Sequence, residues 1–99
     1  MPDFSYLADL SPEDGARILQ DARARFPEHN GHRKATLFLH ERLSSSLIIV
    51  IQEMITDGER SPTAIIAALQ IGDVALGKCH GFLVKLIALL VEIEEATNK

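Results

Sequence analysis

Apolar residues recur at helical spacing along most of the chain, and polar breakers divide them into three predicted helices. Ser11-Pro12-Glu13-Asp14 starts the first. Serine caps, proline fits the first helical position, and the two acids face the positive end of the helix dipole. Ile18, Leu19, Ala22 and Phe26 then share one face, and Pro27 ends the helix near residue 26. Glu28 to His32 reads as a turn. The second helix is expected over 33–57, with Gly58 as its left-handed stop. Its run Leu47-Ile48-Ile49-Val50-Ile51 also fits a buried strand, but Met54 and Ile55 continue the helical period. Ser61-Pro62 repeats the first start signal and opens a third helix over 62–95. Residues 1–10 read as an irregular arm packed down by Phe4, Tyr6, Leu7 and Leu10.

The third segment has the most regular pattern. Ile65, Leu69, Gly72, Leu76, Cys79, Leu83, Leu86, Leu90 and Ile93 follow alternating steps of four and three. That is a coiled-coil-like seam, and it passes through Gly72 without a change of phase. Gly72-Asp73 offers an alternative: one helix ends there and another is capped. Apolar residues around 47–51 and 82–93 point nearly all round their helices, which requires cover on every side. One hairpin and one short helix leave apolar surface uncovered, and such surface marks association. The expected fold is therefore all-α: a short N-terminal helix and a long antiparallel helical hairpin, dimerised into a four-helix-type bundle. Its interface is expected at Ile48, Ile51, Leu83, Leu86, Leu90 and Ile93, with Gly77 and Gly81 at a close helix crossing.

Composition narrows the picture. Ninety-nine residues make one domain, spanning 1–99. Leu, Ile, Val and Phe supply 31 of them, which excludes intrinsic disorder. Aromatics are 5%, so the core is aliphatic. The formal charge of −4 opposes nonspecific binding to nucleic acid or anionic membrane. One cysteine excludes an internal disulfide or a cysteine-built zinc site. The N-terminal residues carry no secretory pattern, and the apolar stretch Phe82–Ile93 is shorter than a bilayer span, so a cytoplasmic location is expected.

Candidate chemistry is sparse. Glu28, His29, His32 and His40 are ordinary metal-ligand types, but their spacing across a turn reads as solvated side chains, and no metal is expected. Arg33 and His40 have six residues between them. That spacing resembles the Arg–His dyad of HEPN-type helical nucleases, over eight residues of the chain. The resemblance implies that Arg33 steadies a phosphate and His40 moves a proton. Cys79 occupies the seam, and adjacent His80 points about 100° away from it, so the cysteine reads as a small hydrophobe. Ser44-Ser45-Ser46 lacks a glycine elbow and reads as a polar interruption. Ala67 to Gly72 partly matches the turn of a helix-turn-helix, but Asp73 falls where an apolar residue belongs. Glu92, Glu94 and Glu95 read as a solvated tail.

The functional expectation is a small helical protein–protein interaction module, an adaptor, regulator or accessory subunit, with no enzymatic activity and no cofactor. The alternative is a bundle that holds an apolar small molecule between Phe38, Met54 and Phe82. A DNA-binding regulator is a lesser alternative.

Overall fold

The computed structural model describes residues 3–26 and 28–98. A 3₁₀ turn, Ser5–Asp9, leads into α1 (Pro12–Arg25), α2 (Gly31–Arg42), α3 (Ser45–Thr56), α4 (Pro62–Leu69) and α5 (Asp73–Thr97). Among the described residues there is no strand, so the all-α expectation holds and the 47–51 run is helical. Both serine caps form as expected. The Ser11 hydroxyl accepts from the Asp14 N–H at 3.1 Å, and the Ser61 hydroxyl from the Ala64 N–H at 3.4 Å. Gly58 follows α3 with φ of 107°, the left-handed stop its position required. Pro27, the expected end of the first helix, lies outside the described residues; α1 ends at Arg25.

The two long expected helices are each divided. Helix 33–57 is broken at Leu43 and Ser44, whose extended backbones separate α2 from α3. The serine triplet is the missed signal, since serine favours a helix start over a helix interior. The Ser44 N–H donates to the Tyr6 hydroxyl at 3.3 Å, so the N-terminal turn supplies a partner at the break. Helix 62–95 is broken at residues 70–72. Gln70 adopts the left-handed conformation, with φ of 53°, and Gly72 stands at the N-cap of α5. Phase continuity across Gly72 did not report a continuous helix.

These breaks let the chain fold around α5. With 25 residues, α5 is about 37 Å long at 1.5 Å per residue. The molecule measures 38 × 29 × 19 Å, so α5 runs its length. The N-terminal turn and all four other helices pack against it. Its buried residues are Ala75, Cys79, Phe82, Leu83, Leu86, Ile87, Leu89, Leu90 and Ile93. At 100° per residue they cover an arc of roughly 160°. Leu39, Leu47, Ile48, Ile51, Ile55 and Ile65, each at most 1% exposed, belong to the same core cluster. The expected N-terminal arm does pack down, with Phe4 and Leu7 buried, although its backbone is a 3₁₀ turn.

Two glycines are required by close approach. A Cβ on Gly31 would strike the carbonyl oxygens of Arg25 and Phe26, where α2 turns back on α1. A Cβ on Gly15 would lie 2.9 Å from the Phe82 ring, where α1 meets α5.

Leu86 is 0% exposed inside the single chain. Leu86→Asp is therefore expected to unfold the protein itself, because an unpaired charge cannot be kept in an aliphatic core. Loss of cooperative thermal unfolding by circular dichroism checks this; a folded Leu86→Asp protein would refute it. Tyr6→Phe is expected to cost about 1 kcal/mol, since the Ser44 N–H loses its partner. Burial raises the Tyr6 pKa above the usual tyrosine value, with the Ser44 bond opposing. The unfolded chain then ionises first, so the stability that the buried neutral phenol contributes is full below pH of about 10 and falls as pH rises through the folded pKa. Alkaline denaturation of wild type and Tyr6→Phe should differ in that window.

Candidate functional site

The residues expected to form an interface fall into two groups. Ile48, Ile51, Leu83 and Leu86 are 0% exposed, Leu90 2% and Ile93 5%. Other helices of the same chain cover them, so a surface made of these six requires the chain to open. Gly77 and Gly81 are exposed, and a Cβ built on either meets nothing within 4 Å. The expected close crossing is absent within this chain, because these glycines lie on the side of α5 opposite the core.

That outer side carries a second periodic pattern. Val74, Gly77, Gly81, Val84, Ala88 and Val91 follow steps of three and four. Val74 is 73% exposed, and Val84, Ala88 and Val91 are half-buried. The stripe covers the middle of the arc that the core leaves free. Sequence periodicity reported the inner seam strongly because Leu and Ile dominate it. The outer stripe has the same spacing but smaller residues, and it was hidden within a helix that reads as apolar all round.

Lysines flank this stripe. Lys78 and Lys85 are exposed on α5, and neither makes an ion pair among the described residues. Glu92 is held from α1 by Arg23, with N–O distances of 2.8 and 3.3 Å. No local pattern signals this contact, which joins residues 69 apart. Beside the stripe, α1 and α5 enclose a groove of about 470 Å³ lined by Leu19, Gln20, Arg23, Lys85 and Ala88. A smaller groove of about 180 Å³ continues past Gly81 and Phe82 to Pro12.

The polar candidates do not assemble into a reactive centre. Among the described residues no three His, Cys, Asp or Glu side chains converge as metal ligands, and no polar side chain is buried. His29 lies exposed in the turn before α2, while His32 and His40 are half-buried on α2. Arg33 is exposed and stands about 10 Å from His40 along the axis of α2. Cys79 is 1% exposed and His80 is exposed, so the two diverge. Burial pushes the Cys79 thiol up, away from the reactive thiolate. Ser44 marks the break between α2 and α3.

A feature unforeseen from sequence lies where α1 meets α2. The Arg25 and Arg42 guanidinium carbons stand 4.6 and 5.3 Å from the centre of the Phe38 ring. Cation–π attraction and cover by the two side chains leave Phe38 only 5% exposed. Of the three residues expected to line a ligand chamber, Phe38 is thus in the core and Met54 half-buried, while Phe82 borders the 180 Å³ groove. The turn between α4 and α5 has helix-turn-helix spacing, but α5 is the core helix, and Lys78 is the one basic residue in its first two turns.

By length and composition α5 also meets the requirement for a membrane span, with mean hydropathy 1.8 over its most apolar window. The shorter stretch considered from sequence understated the helix that contains it. Within this fold 44% of that window is buried, and the most apolar side of the helix faces the protein core.

The chain matches no family model, no curated protein and no solved structure in the comparisons made.

Cys79 is expected to resist alkylation by iodoacetamide at pH 8 in the folded protein and to react fully in denaturant. Equal rates in both states would show that the α5 seam opens readily.

Proposed function

We propose that this protein is a small helical protein–protein interaction module that works through the outer face of α5. The carrying observation is the outer stripe Val74–Gly77–Gly81–Val84–Ala88–Val91, exposed at Val74, Gly77 and Gly81 and half-buried beyond them, which repeats at coiled-coil spacing on the longest helix. Its backbone belongs to the central helix of the core, so the surface is held rigid before a partner arrives. A preorganised surface loses less entropy on binding. The core uses the Leu and Ile seam internally, leaving the smaller residues for contact.

This reading modifies the sequence expectation in one respect. The function class is unchanged, but the aliphatic residues named as its surface stabilise the chain, and Val84, Ala88 and the two glycines take their place. The groove between α1 and α5 keeps a small-molecule reading in second place, as its floor is apolar and its rim carries Arg23 and Lys85.

Site-specific photocross-linking tests the proposal. A photoreactive residue at Ala88 is expected to give a discrete protein adduct in cells, identified by mass spectrometry. The same residue at exposed Thr63 on α4 or Glu41 on α2 is expected to give none. No adduct from Ala88, or equal adducts from all three positions, would overturn the proposal.

A further inference from the structure

A pocket of about 200 Å³ lies where α2 and α3 meet the C-terminal turns of α5. Its apolar lining is Ile55, Leu90 and Ile93, all members of the core. Five polar side chains join them: His32, Thr36, Gln52, Glu94 and Thr97. The first four are half-buried and Thr97 is exposed. Both threonine hydroxyls have committed their hydrogens. Thr36 Oγ1 donates to the His32 carbonyl oxygen at 2.9 Å, and Thr97 Oγ1 donates to the Ile93 carbonyl oxygen at 2.8 Å. Each hydroxyl is left with lone pairs only. Glu94, when ionised, also only accepts, and one of its oxygens takes a hydrogen bond from the Asn98 amide at 3.3 Å. His32 and Gln52 can each donate or accept. Three side chains in the pocket therefore only accept, and none only donates.

Formal charge points the same way. With His32 neutral, Glu94 is the one charged side chain in the lining. A neighbouring surface groove shares Gln52 and adds Glu53 and Asp57. No lysine or arginine lines either cavity. On α2, Lys34 is held by Glu28 at 3.1 Å, and Arg33 lies outside the lining. Helix dipoles do not set the sign, because the negative end of α5 and the positive end of α2 both reach the pocket. The carboxylates set it, and they call for a cation. A metal ion needs more ligands than this pocket offers, since no three His, Cys, Asp or Glu side chains converge among the described residues. We propose that the pocket binds a small aliphatic primary amine in its ammonium form. An ammonium has three N–H donors and no acceptor, which matches Thr36, Glu94 and Thr97. Its chain lies on Ile55, Leu90 and Ile93. A cavity of about 150 Å³ holds benzene, so this one suits a chain of about five carbons. The site shares no residue with the outer stripe of α5, so it stands whether or not that face binds a protein.

The test is an NMR titration of the isotope-labelled full chain with n-pentylammonium chloride, at neutral pH and in about 0.15 M salt to screen loose ion pairing. Saturable shifts are expected at Thr36, Ile55, Ile93 and Thr97, with Val74 and Ala88 unmoved. The expected dissociation constant is about 1 mM, as suits a ligand of so few atoms. The uncharged n-pentanol has the same chain and is expected to bind about tenfold more weakly, and pentanoate is expected not to bind. Glu94→Gln is expected to weaken pentylammonium binding about tenfold, and Thr36→Val severalfold. Both variants should keep thermal midpoints near wild type, since neither side chain is fully buried. A lack of saturation at about 50 mM pentylammonium overturns the inference. So does equal binding of pentanol and pentylammonium, which would leave an apolar hollow indifferent to charge. So does a folded Glu94→Gln protein that binds as wild type does. Zinc bound at His32 and Glu94 more tightly than the amine would also overturn it, in favour of a metal ion.

Discussion

Burial of the inner side of α5 is the constraint on which the rest of the structure depends. Nine of its residues enter the core, and six of them are large aliphatics. Each such side chain contributes roughly 1.5–3 kcal/mol when it leaves water. No other element carries a comparable share, and every other element packs against this one. The remaining helices act as its cover. Their lengths run from 8 to 14 residues, so each covers only part of α5.

The two helix breaks follow from the same need. A straight helix through residues 33–57 would extend about 37 Å, as long as α5, and could cover α5 along one line only. Division at Leu43 and Ser44 lets Leu39 and Ile48 enter one core from differently directed helices. The Tyr6 hydroxyl accepts from the N–H that the break exposes, so the N-terminal turn stabilises the bend as well as covering α5. Division at Gln70 to Gly72 similarly lets Ile65, Ile66 and Leu69 return to the core. A left-handed glutamine is accepted there because three buried side chains on α4 outweigh its local cost.

Such a core leaves little room for buried chemistry. It is aliphatic, and no polar side chain among the described residues is buried in it. Polar residues lie at the surface, where Arg23 and Glu92 tie α1 to α5 and two arginines cover Phe38. The cysteine and histidines of the sequence are separated by the helices that carry them. Association through an exterior helix face agrees with this arrangement, because it needs no buried polar group and no movement of the core.

Local signals were legible in the sequence where they depend on residues close together. Ser11-Pro12 and Ser61-Pro62 marked helix starts, and Gly58 marked a stop, because capping involves residues within one turn. Helical periodicity identified Leu83, Leu86, Leu90 and Ile93 as apolar positions meant for burial. It could not say what would bury them, since a heptad pattern looks the same when its cover comes from another chain or from the same chain. The helix breaks were less legible: Ser44 and Gly72 are weak breakers by themselves, and they act as breaks because the bent chain buries more. The sequence by itself determined helices and an aliphatic core. Tertiary structure decided which side of α5 is spent inside the molecule and which side remains free, because that choice depends on distant helices meeting across 99 residues.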